Sequence, residues 1–379
     1  MAQAIAQDFN GGAASFLVLA MKLLAVGALF AIVAVGLQAE SSNQRILSAV
    51  YGLAGCVGVK NASDWAALRA SGCNVVTIES ANGPRQVTSS VSEKGIRGLC
   101  GLFSKIKYAD ALPVTFSSPV VRSTLDAKDF NFTLSDGSWT QPLCVSTQPA
   151  GEGNEGNTVL TIGHYGNGLQ GTIFPTKVSV VGELNLKTEE GQIVNAHGFE
   201  FADTTDMQYM NPRSGPKMVQ ARIEKFSKRG EQLLDIGPWR GKFPNHCEKV
   251  YGANVTHRLR LVLSGGATFD GVTGLQPVDT HMFQVMLKNG VALQKPYLLG
   301  LADLGSEMSG DATYVHDGDN YIDICLADRG ETVIRSLSHV RMPCHETKLY
   351  FPKGTAHWSG CEDHSISIES FVDSTSIMV

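Results

Sequence analysis

The sequence predicts a mainly β protein, built as one or two antiparallel β-sandwich domains stapled by disulfides. Three observations carry this expectation. Short runs in which apolar and other residues alternate recur beyond residue 110, which is the period of a strand with one covered face. Glycine-rich turns separate those runs, with 40 Gly in 379 residues. Eight cysteines all follow an apolar N-terminal stretch, the pattern of a translocated, oxidised chain. With 43% hydrophobic and 18% charged residues, the chain has enough apolar side chain for a core and too little charge for disorder. A net charge of -5 with no long block of Lys or Arg excludes nucleic acid as an expected partner.

Four segments follow in order. Residues 1–39 read as a signal peptide or signal-anchor. From Phe16 to Leu37 only Lys22 is charged, and small Ala39 lies where polarity returns. The run after Lys22 is short for a permanent span of ~20 apolar residues, which favours cleavage. Uncleaved, this segment is the one expected membrane contact. Residues 40–110 read as a small cysteine-containing region. Ser48 to Cys56 is ambiguous between helix and strand, Asn61-Ala62-Ser63-Asp64 starts a helix through Trp65, Leu68 and Ala70, and Val75-Val76 begins a strand.

Residues 111–205 form the expected β-sandwich domain. Its strands are Leu112–Phe116, Phe130–Leu134, Thr158–Gly163 and a run from Lys177 to Gly182, and Ser135-Asp136-Gly137 makes a hairpin turn before Trp139. Residues 206–379 form a second β-rich domain. Between Met218 and Phe226, Val219, Ile223 and Phe226 fit a helix. Val219, Ala221 and Ile223 fit a strand with Gln220, Arg222 and Glu224 opposite, and Pro216 just before favours the strand. His257–Leu263, Phe283–Leu287, Tyr321–Leu326 and Ser365–Val372 repeat the style.

The segments Leu112 to Gly137, Val272 to Asp279 and Asp317 to Leu326 resemble a set of uncharacterised secreted bacterial and algal β-sandwich proteins. The first has the rhythm of an immunoglobulin-like strand pair. The resemblance covers about two thirds of the chain, from Leu112 onwards. It implies an immunoglobulin-like sandwich and brings no catalytic residue with it.

Eight cysteines allow up to four disulfides, and Cys344–Cys361 would close a C-terminal segment. The sequons at Asn61, Asn131 and Asn254 make a glycoprotein the expectation in a eukaryotic secretory route. Asp317, Asp319 and Asp323, near Asp311 and Asn320, offer oxygen ligands for calcium on a loop entering a strand. Asp323 alternates with Ile322 and Ile324, so it is expected to point at an ion without burying a charge in the core. The EF-hand pattern fails there, and a solvated turn is the plainer account of the same residues.

Zinc is less favoured. His339, Cys344, His345, His357, Cys361 and His364 match no finger spacing, CxxC and HExxH are absent, and a disulfide explains the cysteines more simply. GxSxG and the phosphate-cradling GxxxxGK[ST] are absent. GxGxxG occurs at Gly151-Gly153-Gly156 and Gly166-Gly168-Gly171, both better read as turns between strands. Trp239 and Trp358 could stack a flat ligand or serve as core.

The functional expectation is a secreted or surface-attached binding or structural module, calcium-supported, facing an unidentified extracellular ligand or surface. The alternative is a secreted enzyme with a metal or acid/base site in the His/Asp/Cys-rich C-terminal half.

Overall fold

The computed structural model describes residues 44–50, 52–73, 75–79, 82–88, 90–101, 106–150, 155–166, 173–188, 191–202, 217–225, 247–266, 274–304, 306–307, 314–315, 319–343 and 364–373. Strands β1 (Ile46–Ala49), β2 (Leu53–Val59), β3 (Val75–Ile78), β4 (Arg85–Thr88) and β5 (Val91–Ser92) come first. Then follow β6 (Ala109–Phe116), β7 (Phe130–Leu134), β8 (Trp139–Thr140), β9 (Cys144–Ser146) and β10 (Thr158–Gly163). β11 (Pro175–Val180), β12 (Asn185–Lys187), β13 (Ile193–Asn195) and β14 (Glu200–Phe201) complete the first half. The second half has β15 (Met218–Lys225), β16 (His257–Leu263), β17 (Gln284–Leu287), β18 (Leu298–Ala302) and β19 (Ser306–Glu307). It ends with β20 (Tyr314–Val315), β21 (Tyr321–Leu326), β22 (Leu337–Met342), β23 (His364–Ser367) and β24 (Glu369–Asp373). Helices are short: α1 (Trp65–Ala70), α2 (Glu93–Cys100) and α3 (Cys247–Tyr251). The protein is mainly β, with several sheets and, among the described residues, three disulfides.

Local chemistry explains the turns. The Asp64 side chain accepts from the Ala67 amide at 3.1 Å and caps α1, as its sequence signal predicts. At the β7–β8 hairpin, Gly137 adopts φ +84°, and the Leu134 amide donates to the Ser138 carbonyl at 2.8 Å. A side chain would strain that left-handed position.

In the first half, β5-β2-β6-β10-β9 form one sheet, with β1 also on β6, and β14-β11-β7-β8 form another. Alternation along β6 explains their meeting. Leu112, Val114 and Phe116 share a core with Phe130 and Phe132 of β7 and with Val178 and Val180 of β11. Ala111 faces the other way and joins Val57, Ile162 and Ile96 of α2. β1 and β2 both pair antiparallel with β6, so the boundary expected near residue 110 falls within one strand of a shared sheet.

In the second half, β18-β21-β16-β15-β24 form one sheet and β17-β22-β23 another. Leu259, Leu261 and Leu263 of β16 share a core with Ile322 and Ile324 of β21 and with Val285 and Val340 of the second sheet. Met218–Lys225 is the strand the alternation favoured. The single strand expected over Ser365–Val372 is instead two: β23 pairs with β22, while β24 pairs in parallel with β15 in the other sheet. Ile368 separates them, and its amide donates to the Ser338 carbonyl at 3.0 Å.

Cys56–Cys73 ties β2 to the end of α1, Cys100–Cys144 ties α2 to β9, and Cys247–Cys325 ties α3 to β21. No described cysteine is free. Cys344 and Cys361 lie outside the described residues, as does the apolar run Phe16 to Leu37. Among the described residues no helix is long and apolar enough to cross a membrane.

Candidate functional site

The face of the β15-β16-β21 sheet turned away from its apolar core is lined with charge. Alternation places Arg222 and Glu224 on β15, Arg258 and Arg260 on β16, and Asp323 on β21 on this face. Register then sets the pairs: Glu224 lies opposite Arg258, and Arg260 opposite Asp323. Arg222 lies opposite Arg260, a like-charge juxtaposition that the carboxylates on either side offset. All five side chains are buried, with Arg258 and Arg260 at 1% exposure and Asp323 at 0%.

The geometry is that of a continuous network. Glu224 Oε1 accepts from Arg222 Nε and Nη2 at 3.2 and 3.0 Å. Its Oε2 accepts from Arg258 Nε at 2.8 Å and also from Arg258 Nη2. Asp323 receives Arg260 as a fork, Nε to Oδ1 at 2.8 Å and Nη2 to Oδ2 at 2.9 Å. Arg258 Nη1 reaches the same Asp323 Oδ2 at 3.4 Å, which joins the two clusters. Arg260 Nη2 also donates to Asp303 Oδ2 at 3.1 Å, and its Nη1 lies 3.8 Å from Glu155 Oε1.

Glu155 precedes β10, so the network crosses from one half to the other. Around it, the Tyr321 hydroxyl donates to the Glu155 carbonyl at 2.8 Å, and the Arg260 guanidinium lies 5.4 Å from the Tyr321 ring centre. Asn320 Nδ2 donates to the Thr115 hydroxyl at 3.4 Å, and Gln220 Nε2 to the Ser117 carbonyl at 3.3 Å. The polar face of one sheet therefore seats on the ends of β6 and β10.

Electrostatics follow from burial and neighbours. Burial alone would raise Glu224, but the attraction of Arg258, Arg222 and Arg260 outweighs it and leaves the carboxyl at about 2. Asp303 goes the other way: burial and the nearby Glu155 carboxylate push it well above the ordinary range, against the pull of Arg260. Arg260 is held charged, because the carboxylates of Asp323, Asp303 and Glu155 outweigh its own desolvation. Such a cluster is costly to break. Removing one partner of a buried pair strands the other charge, at about 3–5 kcal/mol.

Of the calcium ligands expected from the sequence, Asp317 and its neighbour Asp311 lie outside the described residues. Asp319 is half-buried before β21, and its Oδ1 accepts the Tyr321 amide at 3.0 Å. Asp323 corrects an expectation. It does bury its charge, because on the face opposite Ile322 and Ile324 the side chains of Arg260 and Arg258 from the neighbouring strand engage both its oxygens. Asp319 instead converges with two residues the sequence reading missed. Glu155, Asp303 and Asp319 each bring an oxygen within 4.8 Å of the others.

Of the zinc set, Cys344, His345, His357 and Cys361 lie outside the described residues, as do Trp239 and Trp358. His339 pairs with Ser367 and His364 with Met342, three register positions apart. Gly156 and Gly166 flank β10 on either side, while Gly151, Gly153, Gly168 and Gly171 lie outside the described residues. No family model, curated protein or solved structure matches this chain.

Proposed function

We propose that the protein is a secreted or surface-attached structural or binding module. In this reading each half is a β-sandwich, the first of the immunoglobulin-like kind that its strand pair resembles, and a buried charge network joins the two. The shared core of each pair of sheets supports the sandwich reading. The observation that carries the functional reading is how the buried arginines are used. Arg222, Arg258 and Arg260 are all engaged by carboxylates of their own sheet, and Arg260 reaches Glu155 of the other half. Charges committed to one another hold elements together, and a reacting centre needs groups aimed at substrate. Three disulfides are the chemistry of an oxidising, extracytoplasmic environment. Asn61 and Asn254 are exposed and suited to carry glycans, whereas Asn131 is half-buried within β7.

Expression of the full chain in a secretion-competent host tests this. The protein is expected in the medium or on the cell surface, with Cys56, Cys73, Cys100, Cys144, Cys247 and Cys325 unlabelled by alkylation before reduction. Retention in the cytoplasm with alkylated thiols, or chelator-sensitive turnover of peptide, ester or glycoside substrates, would overturn it.

A further inference from the structure

We propose that Glu155, Asp303 and Asp319 hold a divalent cation of the calcium class, which clamps the first half of the chain to the second. The inference deepens the module reading and rests on it. Three loops bring the ligands together. Glu155 stands before β10, Asp303 just after β18, and Asp319 before β21, so the cation would bridge both halves.

The geometry suits a large, hard ion. Carboxylate oxygens within 4.8 Å of one another can all reach one Ca2+, whose oxygen ligands lie at about 2.3–2.6 Å. The donors are oxygens throughout, without the imidazole or thiolate that zinc prefers. Three carboxylates supply between three and six ligand atoms, and water or backbone oxygens would complete the shell of six to eight. Half-buried Asp319 leaves the ion a way in.

Asp303 points to a ligand independently. Its side chain is 1% exposed, and Oδ2 is held by Arg260 Nη2. Its Oδ1 is buried with no hydrogen-bond partner among the described residues. A buried carboxylate oxygen left without a donor is costly unless something cationic meets it. Charge points the same way. Counted as ionised, the state a bound cation would favour, the carboxylates of Glu155, Glu224, Asp303, Asp319 and Asp323 face the guanidiniums of Arg222, Arg258 and Arg260 with an excess of two negative charges among the described residues. One divalent ion offsets it. Asp303 also sits at φ +59°, a left-handed conformation that aspartate tolerates better than most residues.

The test uses the purified full chain, stripped with chelator and titrated with CaCl2 by calorimetry and by thermal unfolding. One ion should bind per chain. With calcium a hundredfold over Kd, the folded-to-unfolded ratio should rise about a hundredfold. Asp303→Asn should lose that response, yet melt in chelator no lower than the wild type. Asparagine keeps an acceptor for Arg260 and removes a carboxylate that burial and Glu155 disfavour, so a merely structural role would give the opposite result in chelator. Asp319→Asn, at a half-buried position, should weaken calcium binding at least tenfold, and it keeps the test decisive if the first variant does not fold. Wild-type melting that is identical in millimolar calcium and in chelator would overturn the site, as would a calcium response that survives in Asp319→Asn. If calcium fails while the protein is still exported, oxidised and without turnover, the module reading stands and only the cation falls.

Discussion

Glu224 shows how neighbours can reverse the effect of burial. Its carboxyl is held at about 2 in the folded protein, against an ordinary 4.5, because three arginines surround it. A depressed acid adds stability above its unfolded value, and that stability is lost as pH falls through the folded value. The contribution, about 3 kcal/mol at order of magnitude, is therefore full above pH 4.5 and fades towards pH 2. Asp110 and Asp129, raised chiefly by burial, contribute with the opposite sign, so a whole-protein acid curve mixes the two. The comparison that isolates Glu224 is urea unfolding of the wild type against Glu224→Gln at several pH values. The gap should be widest near pH 6 and shrink steadily below pH 4.5, and a gap independent of pH would show that the arginines do not hold the carboxylate. At this scale the sequence was least informative. Asp323 reads as an exposed ligand because its strand partners are not visible in its own heptad of neighbours, and Glu155 and Asp303 lie almost 150 residues apart with no motif linking them.

At the scale of elements, much was legible. β7, β10, β16 and β21 keep the bounds that alternation predicts, since one face of each meets an apolar core. The other face was not legible. In β16 the alternation of His257–Leu263 predicts a strand without saying what covers its arginines, and every residue of the strand is buried. A charged residue has the same spacing whether water or a facing carboxylate covers it, and only register decides. The cysteines showed that disulfides form without showing which. Their pairing yields a graded prediction. Cys247–Cys325 spans a sequence separation of 78 and Cys56–Cys73 one of 17. In the chain-entropy account the longer loop confers about 1.4 kcal/mol more. Denaturant unfolding of Cys247→Ala/Cys325→Ala should therefore show a loss of roughly 2–5 kcal/mol, larger than that of Cys56→Ala/Cys73→Ala. Equal losses would mean that local packing around α1 or α3, and not loop closure, sets the effect.

At the scale of the whole molecule, the two halves meet through polar contacts. Tyr321, Asn320 and Gln220 bond to the ends of β6 and β10, and Arg260 stands at the centre of the charges behind them. A junction of this kind couples the halves only while its charges are matched, since each unmatched one is buried at a cost. Composition and periodicity predicted two β-rich parts but could not show that the second would seat its charged face on the first. The most direct test of the account is scanning calorimetry of the full chain in calcium. The wild type should unfold in one transition whose calorimetric and van't Hoff enthalpies agree, and Arg260→Met should resolve into two transitions, with the second half melting first. Two separate transitions in the wild type, or a single one that persists in Arg260→Met, would contradict the charge network as the lock between the halves.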